Sequence, residues 1–127
     1  MKIKIKCRND LDEFLINEYS VSPEYPWQDA DHAVYRHANN RKWFAVAMTI
    51  PRVRLGLEGD GDIEVANLKT NPDMLDWLWQ QPGIFPAYHM NKQHWISAAL
   101  DGSADEELLE GLIDLSYELT AQKAKRK

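Results

Sequence analysis

Between Pro82 and Gly102 the chain reads PGIFPAYHMNKQHWISAALDG, which crowds two histidines, a tyrosine, a tryptophan, an asparagine and a lysine into one short stretch. Such residues serve metal ligation, acid–base catalysis by imidazole, or recognition of a phosphate or base edge. The spacing disfavours a metal. His89 and His94 are five residues apart, as are His32 and His37, whereas a helix needs three or four and a strand needs an even separation to put two ligands on one face. No metal and no cofactor are expected. Nucleophilic motifs are also missing: Cys7 stands alone, no serine sits in a Gly-x-Ser-x-Gly elbow, and GLEGDG lacks the lysine and following helix of a phosphate-cradling loop. Glu58, Asp60 and Asp62 lie in that glycine-rich turn, where acids usually shape the turn. No catalytic residue is assigned.

The basic residues are unevenly spread. The net charge is −5 and eight of the 15 cations lie at the two ends, the last four being Lys123, Lys125, Arg126 and Lys127. All 20 acids fall between Asp10 and Glu118. Within this acidic body, RHANNRKWFAVAMTIPRVRLGL (Arg36 to Leu57) carries five cations and no acid. An acidic protein repels phosphate backbones at long range, so any nucleic-acid contact must be local. The lone cysteine, the lack of a signal-like apolar run at the start, and the lack of a span of about 20 apolar residues point to a cytoplasmic protein with no membrane association.

The elements that must position these residues follow from periodicity. RNDLDEFLINEY places Leu11, Phe14 and Leu15 on one helical face, with Asp10 and Glu13 as a capping box. HAVYRHA and KWFAVAMTI read as paired strands turned by Asn39-Asn40, and RVRLGL and DIEVANL as strands around EGDG. A short helix follows Asn71-Pro72, with Leu75, Leu78 and Trp79 on its buried stripe; Trp77 and Trp79 cannot both face the core from it. HWISAAL returns as a strand, and Ser103 with Glu106 caps a last helix carrying a broad leucine stripe. No repeat or linker breaks the chain, which reads as one domain over residues 1–127. Consecutive strands flanked by helices predict an α+β fold: a two-layer arrangement with helices packed on one face of an antiparallel sheet.

The order Leu68-Lys69, Pro72, Pro86, His89-Met90-Asn91-Lys92, His94-Trp95, Leu100-Asp101-Gly102 and Ser116-Tyr117 resembles the MmcQ/YjbR family, as does the upstream Lys42-Trp43-Phe44-Ala45. The resemblance implies a CyaY-like fold of order α-β-β-β-α-β-α with an extra hairpin. It also implies a double-wing DNA-binding arrangement, in a family without agreed catalytic residues.

The leading expectation is a non-enzymatic protein that binds DNA weakly and in a salt-sensitive way through Arg36, Arg41, Lys42, Arg52, Arg54 and Lys92, helped by the basic tail. Strand alternation would put Arg52 and Arg54 on one face about 7 Å apart, near the phosphate spacing of a single strand. Scattering of these side chains over different faces would remove that support. Tyr88, His89, Asn91, His94 and Trp95 form a candidate recognition surface, with Asn91 expected in a left-handed turn conformation. The rival readings use the same corner: a protein-interaction module, or a small-molecule or metal-dependent enzyme, which would need a pocket and a further convergent acid or base.

Overall fold

A computed structural model describes residues 4–28 and 31–121. Helix α1 (Arg8–Tyr19) is followed by strands β1 (Ala33–Arg36), β2 (Trp43–Pro51) and β3 (Asp62–Lys69). A 3-10 turn (Pro72–Met74) then leads into the short α2 (Leu75–Leu78), strands β4 (Ile84–Pro86) and β5 (Trp95–Ala99), and helix α3 (Glu106–Thr120). The strands form one antiparallel sheet in the order β1-β2-β3-β5-β4. The architecture is α+β, as expected.

One row of the sheet shows why α3 can lie close against it. Ala33, Ala47, Ala66 and Ala98 are register partners across β1, β2, β3 and β5. Their small side chains leave room for the large ones above, and Leu109, Leu112 and Ile113 of α3 share this core with Leu11 and Leu15 of α1. Interdigitating large against small residues is how packed layers reach interior density.

Phe44 departs from simple alternation. Tyr35 pairs with Ala45 and Arg36 with Trp43, so Phe44 is the extra residue of a β-bulge. It turns into the helical core, while Trp43 packs on the other face with Val46 and Met48. In the β2–β3 ladder Phe44 would next face Lys69, but Ser116 of α3 lies between them. Its hydroxyl donates to the Phe44 carbonyl at 2.6 Å and accepts from the Lys69 N–H at 2.8 Å. The helix thereby satisfies two backbone groups that the bulge has parted.

Several local expectations are corrected. RVRLGL is not a strand: Arg52–Leu55 is a 3-10 turn that follows Pro51 and ends at Gly56, with φ 74°. Proline cannot donate to the ladder, and the Arg52 N–H reaches Gly61 O at 3.0 Å to close the loop instead. The first helix is preceded by Cys7 without a side-chain cap, and Asp10 accepts from the Lys6 N–H. The last helix is capped by Asp105, whose carboxylate accepts from the Leu108 N–H at 3.0 Å, while Ser103 bonds Asp101. Trp77 and Trp79 are both exposed, because α2 is a single turn that buries only Leu75 and Leu78. The strand β4 was not anticipated. Gly83 before it has φ 77° and lies where a Cβ would come 2.7 Å from the Ala104 nitrogen, so the close approach to the α3 entry requires glycine.

Candidate functional site

The sheet face away from α1 and α3 carries a second, smaller core of Val34, Val46, Met48, Ile50, Ile63 and Val65. Leu55 of the 3-10 turn, Phe85 of β4, and Tyr88 and Met90 of the following loop pack onto it. Among the described residues the Tyr88-His89 corner contributes a residue to each of two cavities on this side.

That corner is held from beneath. Asn67 of β3 and Ser97 of β5 are register partners, both fully buried. The Ser97 hydroxyl donates to Asn67 Oδ1 at 2.5 Å and accepts from the Tyr88 N–H at 2.9 Å. Asn67 Nδ2 donates to the Tyr88 carbonyl at 2.8 Å. Both backbone groups of Tyr88 are thus pinned, and the next residue, His89, takes a left-handed φ of 62°. Asn91 does not adopt that conformation; its side chain accepts from the Gln93 N–H at 2.7 Å, and its carbonyl accepts from the Trp95 N–H at 2.9 Å. An asparagine side chain closing on the backbone two residues later makes this turn without a positive φ.

The cations expected to act together are divided. Glu24 takes two of them: Arg41 Nη2 lies 3.1 Å from both carboxylate oxygens, and Arg36 Nε 3.3 Å from Oε1. Arg36 also lies over the Trp43 ring, 5.5 Å from its centroid. Arg52 donates to the Glu58 carbonyl at 2.9 Å. Arg52 and Arg54 do not share a strand face, since they sit on the 3-10 turn. Lys42 is exposed and lines neither cavity. Lys123 to Lys127 lie outside the described residues.

Arg54 and Lys92 do converge. Both are exposed and line a groove of about 200 Å³ with Leu55, Phe85, Pro86 and Tyr88. Neither has an ion-pair partner among the described residues. A groove with two cations on its rim and a tyrosine in its wall can hold a phosphate and stack a base.

The second cavity, also about 200 Å³, is walled by Trp27, His32, Trp43, His89 and Met90. Val46, Met48 and Asn67 also line it, the face of β2 and β3 forming its floor. Trp27 meets Trp43 and His32 edge-on, at centroid distances of 5.6 and 5.9 Å. His32 Nδ1 is buried with no hydrogen-bond partner among the described residues. This pocket was not foreseen in the sequence. Of the expected recognition surface, Tyr88 and His89 line the cavities, Trp95 is half-buried, and Asn91 and His94 stay exposed in the turn.

His37 is no partner for His32. It is buried against Phe44 and Tyr117, with Nε2 2.8 Å from the Thr120 hydroxyl. Burial lowers its proton affinity, opposed by a hydrogen bond to the Tyr117 backbone and by Glu118. A third, polar cavity near α1 is braced internally: Tyr35 donates to Asp12 at 2.9 Å, Arg8 Nη1 donates to Thr49 at 3.1 Å, and the Arg8 N–H donates to Glu64 at 2.8 Å. Burial and the Asp12 bond push the Tyr35 hydroxyl well above its usual range.

The same corner, bulge and helix motif fall inside a recognised family pattern, that of YjbR, which matches residues 16–119. The uncharacterized protein YyaQ of Bacillus subtilis (strain 168) is 39% identical over 114 residues, covering 89% of this chain and 97% of its own. A crystal structure of a Pseudomonas syringae protein superposes with a TM-score of 0.87 at 39% identity, covering 90% of this chain and 98% of that one. A Deinococcus radiodurans crystal structure described by the domain name DUF419 shares the fold, with a TM-score of 0.70 at 24% identity, covering 97% and 84% of the two chains. With the pattern matched from within α1 to near the end of α3, the chain belongs to the YjbR family.

Proposed function

We propose that the chain is a non-enzymatic, cytoplasmic DNA-binding protein of one domain that holds single-stranded DNA weakly in the groove between Arg54 and Lys92. The observation that carries this reading is the convergence of those two exposed cations, without an ion-pair partner among the described residues, on a groove walled by Tyr88 and Phe85. Aromatic side chains accept the face of any base, and neighbouring cations track the backbone. The double-wing expectation is thereby narrowed to one groove, because Arg36 and Arg41 are engaged by Glu24.

Binding is weak because the net charge is −5. Two phosphate contacts give a salt slope of about −1.4 for a single strand, so affinity falls about sevenfold between roughly 50 and 200 mM salt. Fluorescence anisotropy of a labelled single strand and its duplex tests this. Preferential single-strand binding with that slope supports the groove, and salt-independent binding or none at low salt contradicts it.

A protein partner is the second reading. Trp77 and Trp79, 53% and 38% exposed on α2, favour it, since aromatic residues are enriched at interfaces. The Tyr88–Trp95 corner supports it less, because its two largest rings are half-buried.

A further inference from the structure

The second cavity differs from the groove in chemistry. Among the described residues no lysine, arginine, aspartate or glutamate lines it. Its walls are the rings of Trp27, Trp43 and His89 and the thioether of Met90. Trp43 is braced by the Arg36 guanidinium over its ring, and Trp27 by edge contacts to Trp43 and His32. Rigid rings with flexible thioethers between them suit a flat guest, because thioethers adapt to its outline.

The floor adds one fixed polar point. Asn67 pairs with Val46 in the β2–β3 register and lies on the same face as Val65, which is the pocket side. Its bonds to Ser97 and Tyr88 use one of its two amide hydrogens and one lone pair of its oxygen. One N–H and one lone pair are left, on a fully buried side chain lining the cavity. A buried amide with spare capacity on an apolar floor favours a guest that can both donate and accept. His32 Nδ1 in the wall, without a hydrogen-bond partner among the described residues, is a second group that such a guest would satisfy. The size fits: a dry cavity of about 150 Å³ holds a benzene ring, and this one measures about 200 Å³.

We infer that this pocket binds a small, flat, uncharged heteroaromatic molecule bearing a lactam-like edge, stacked beside Trp27 and hydrogen-bonded to Asn67. The site is separate from the Arg54–Lys92 groove and does not depend on DNA binding there.

The test is a ¹H–¹⁵N titration of the full chain with the bicyclic lactam 2-quinolone. The expected result is saturable shifts at the Trp27 and Trp43 indole N–H signals and at the amides of Val46, Asn67 and Met90. N-methylation of the lactam and the Trp27→Ala substitution should each weaken binding about tenfold, the loss of one hydrogen bond or one aromatic face. Trp27 is 41% exposed, so its removal leaves the core intact. Cyclohexanecarboxamide, which has the amide edge without the flat ring, should bind at least about tenfold more weakly than 2-quinolone. Arg54→Glu with Lys92→Glu should leave lactam binding unchanged. The inference is overturned if no saturable shifts occur, if shifts gather at the groove instead, or if Trp27→Ala or N-methylation has no effect.

Discussion

Asn67 and Ser97 face each other across β3 and β5, and the 2.5 Å bond from the Ser97 hydroxyl to Asn67 Oδ1 joins two buried side chains under the Tyr88 backbone. The loop that carries Tyr88, His89 and Lys92 is therefore anchored to the centre of the sheet. Replacing Ser97 with alanine leaves Asn67 Oδ1 and the Tyr88 N–H without this partner. Ser97→Ala should lower stability by about 1–3 kcal/mol, the cost of orphaned buried polar groups. Urea denaturation measures it, and a loss below about 0.5 kcal/mol, the low end for one hydrogen bond, would mean that the corner is not held this way.

Ser116 has a comparable role on the other face, where its hydroxyl spans the Phe44 carbonyl and the Lys69 N–H. Ser116→Ala should cost about 1–3 kcal/mol for the same reason. Hydrogen exchange locates the effect: the Lys69 amide should lose protection before its neighbour Leu68.

His37 makes stability depend on pH. Its folded proton affinity is lowered from the ordinary value of 6.5, first by burial. Below pH 6.5 the unfolded chain binds more protons at this site than the folded one, so stability is fully present above that pH and is lost as pH falls towards the lowered folded value. Thermal unfolding between pH 7.5 and 5 should show this loss, and His37→Gln should flatten the profile in that window.

His89 separates fold from binding. Its left-handed φ of 62° is unfavourable for a residue with a Cβ. His89→Gly should therefore unfold no earlier than the native chain, while removing one wall of the aromatic pocket. A marked loss of stability would show that the ring is needed for the corner itself.

Much of this architecture was legible in the sequence, because β1, β2, β3 and β5 are short apolar runs buried on both faces of the sheet, and α3 repeats its buried residues at the helix period. The Arg52–Leu55 turn was not. Arg-Val-Arg-Leu alternates as a strand does, and only Pro51 argued against one. The bulge at Phe44 depends on Ser116, 72 residues away, so no local pattern could reveal it. The left-handed residue was misplaced by two positions, since Asn91 makes its turn through its side chain. The pocket was illegible for a similar reason. Trp27, Trp43, Asn67 and His89 come from four separate segments and meet only once the sheet has formed.

The functional account rests on Arg54 and Lys92 acting together, with Arg36 and Arg41 held by Glu24. The most direct measurement compares single-stranded DNA binding by Arg54→Glu/Lys92→Glu and by Arg36→Glu/Arg41→Glu at about 50 mM salt, where phosphate contacts are least screened. The account predicts loss of binding in the first variant, and in the second only the modest weakening expected from four units of added negative charge far from the groove. Equal losses in both, or a loss confined to the Arg36/Arg41 variant, would contradict it.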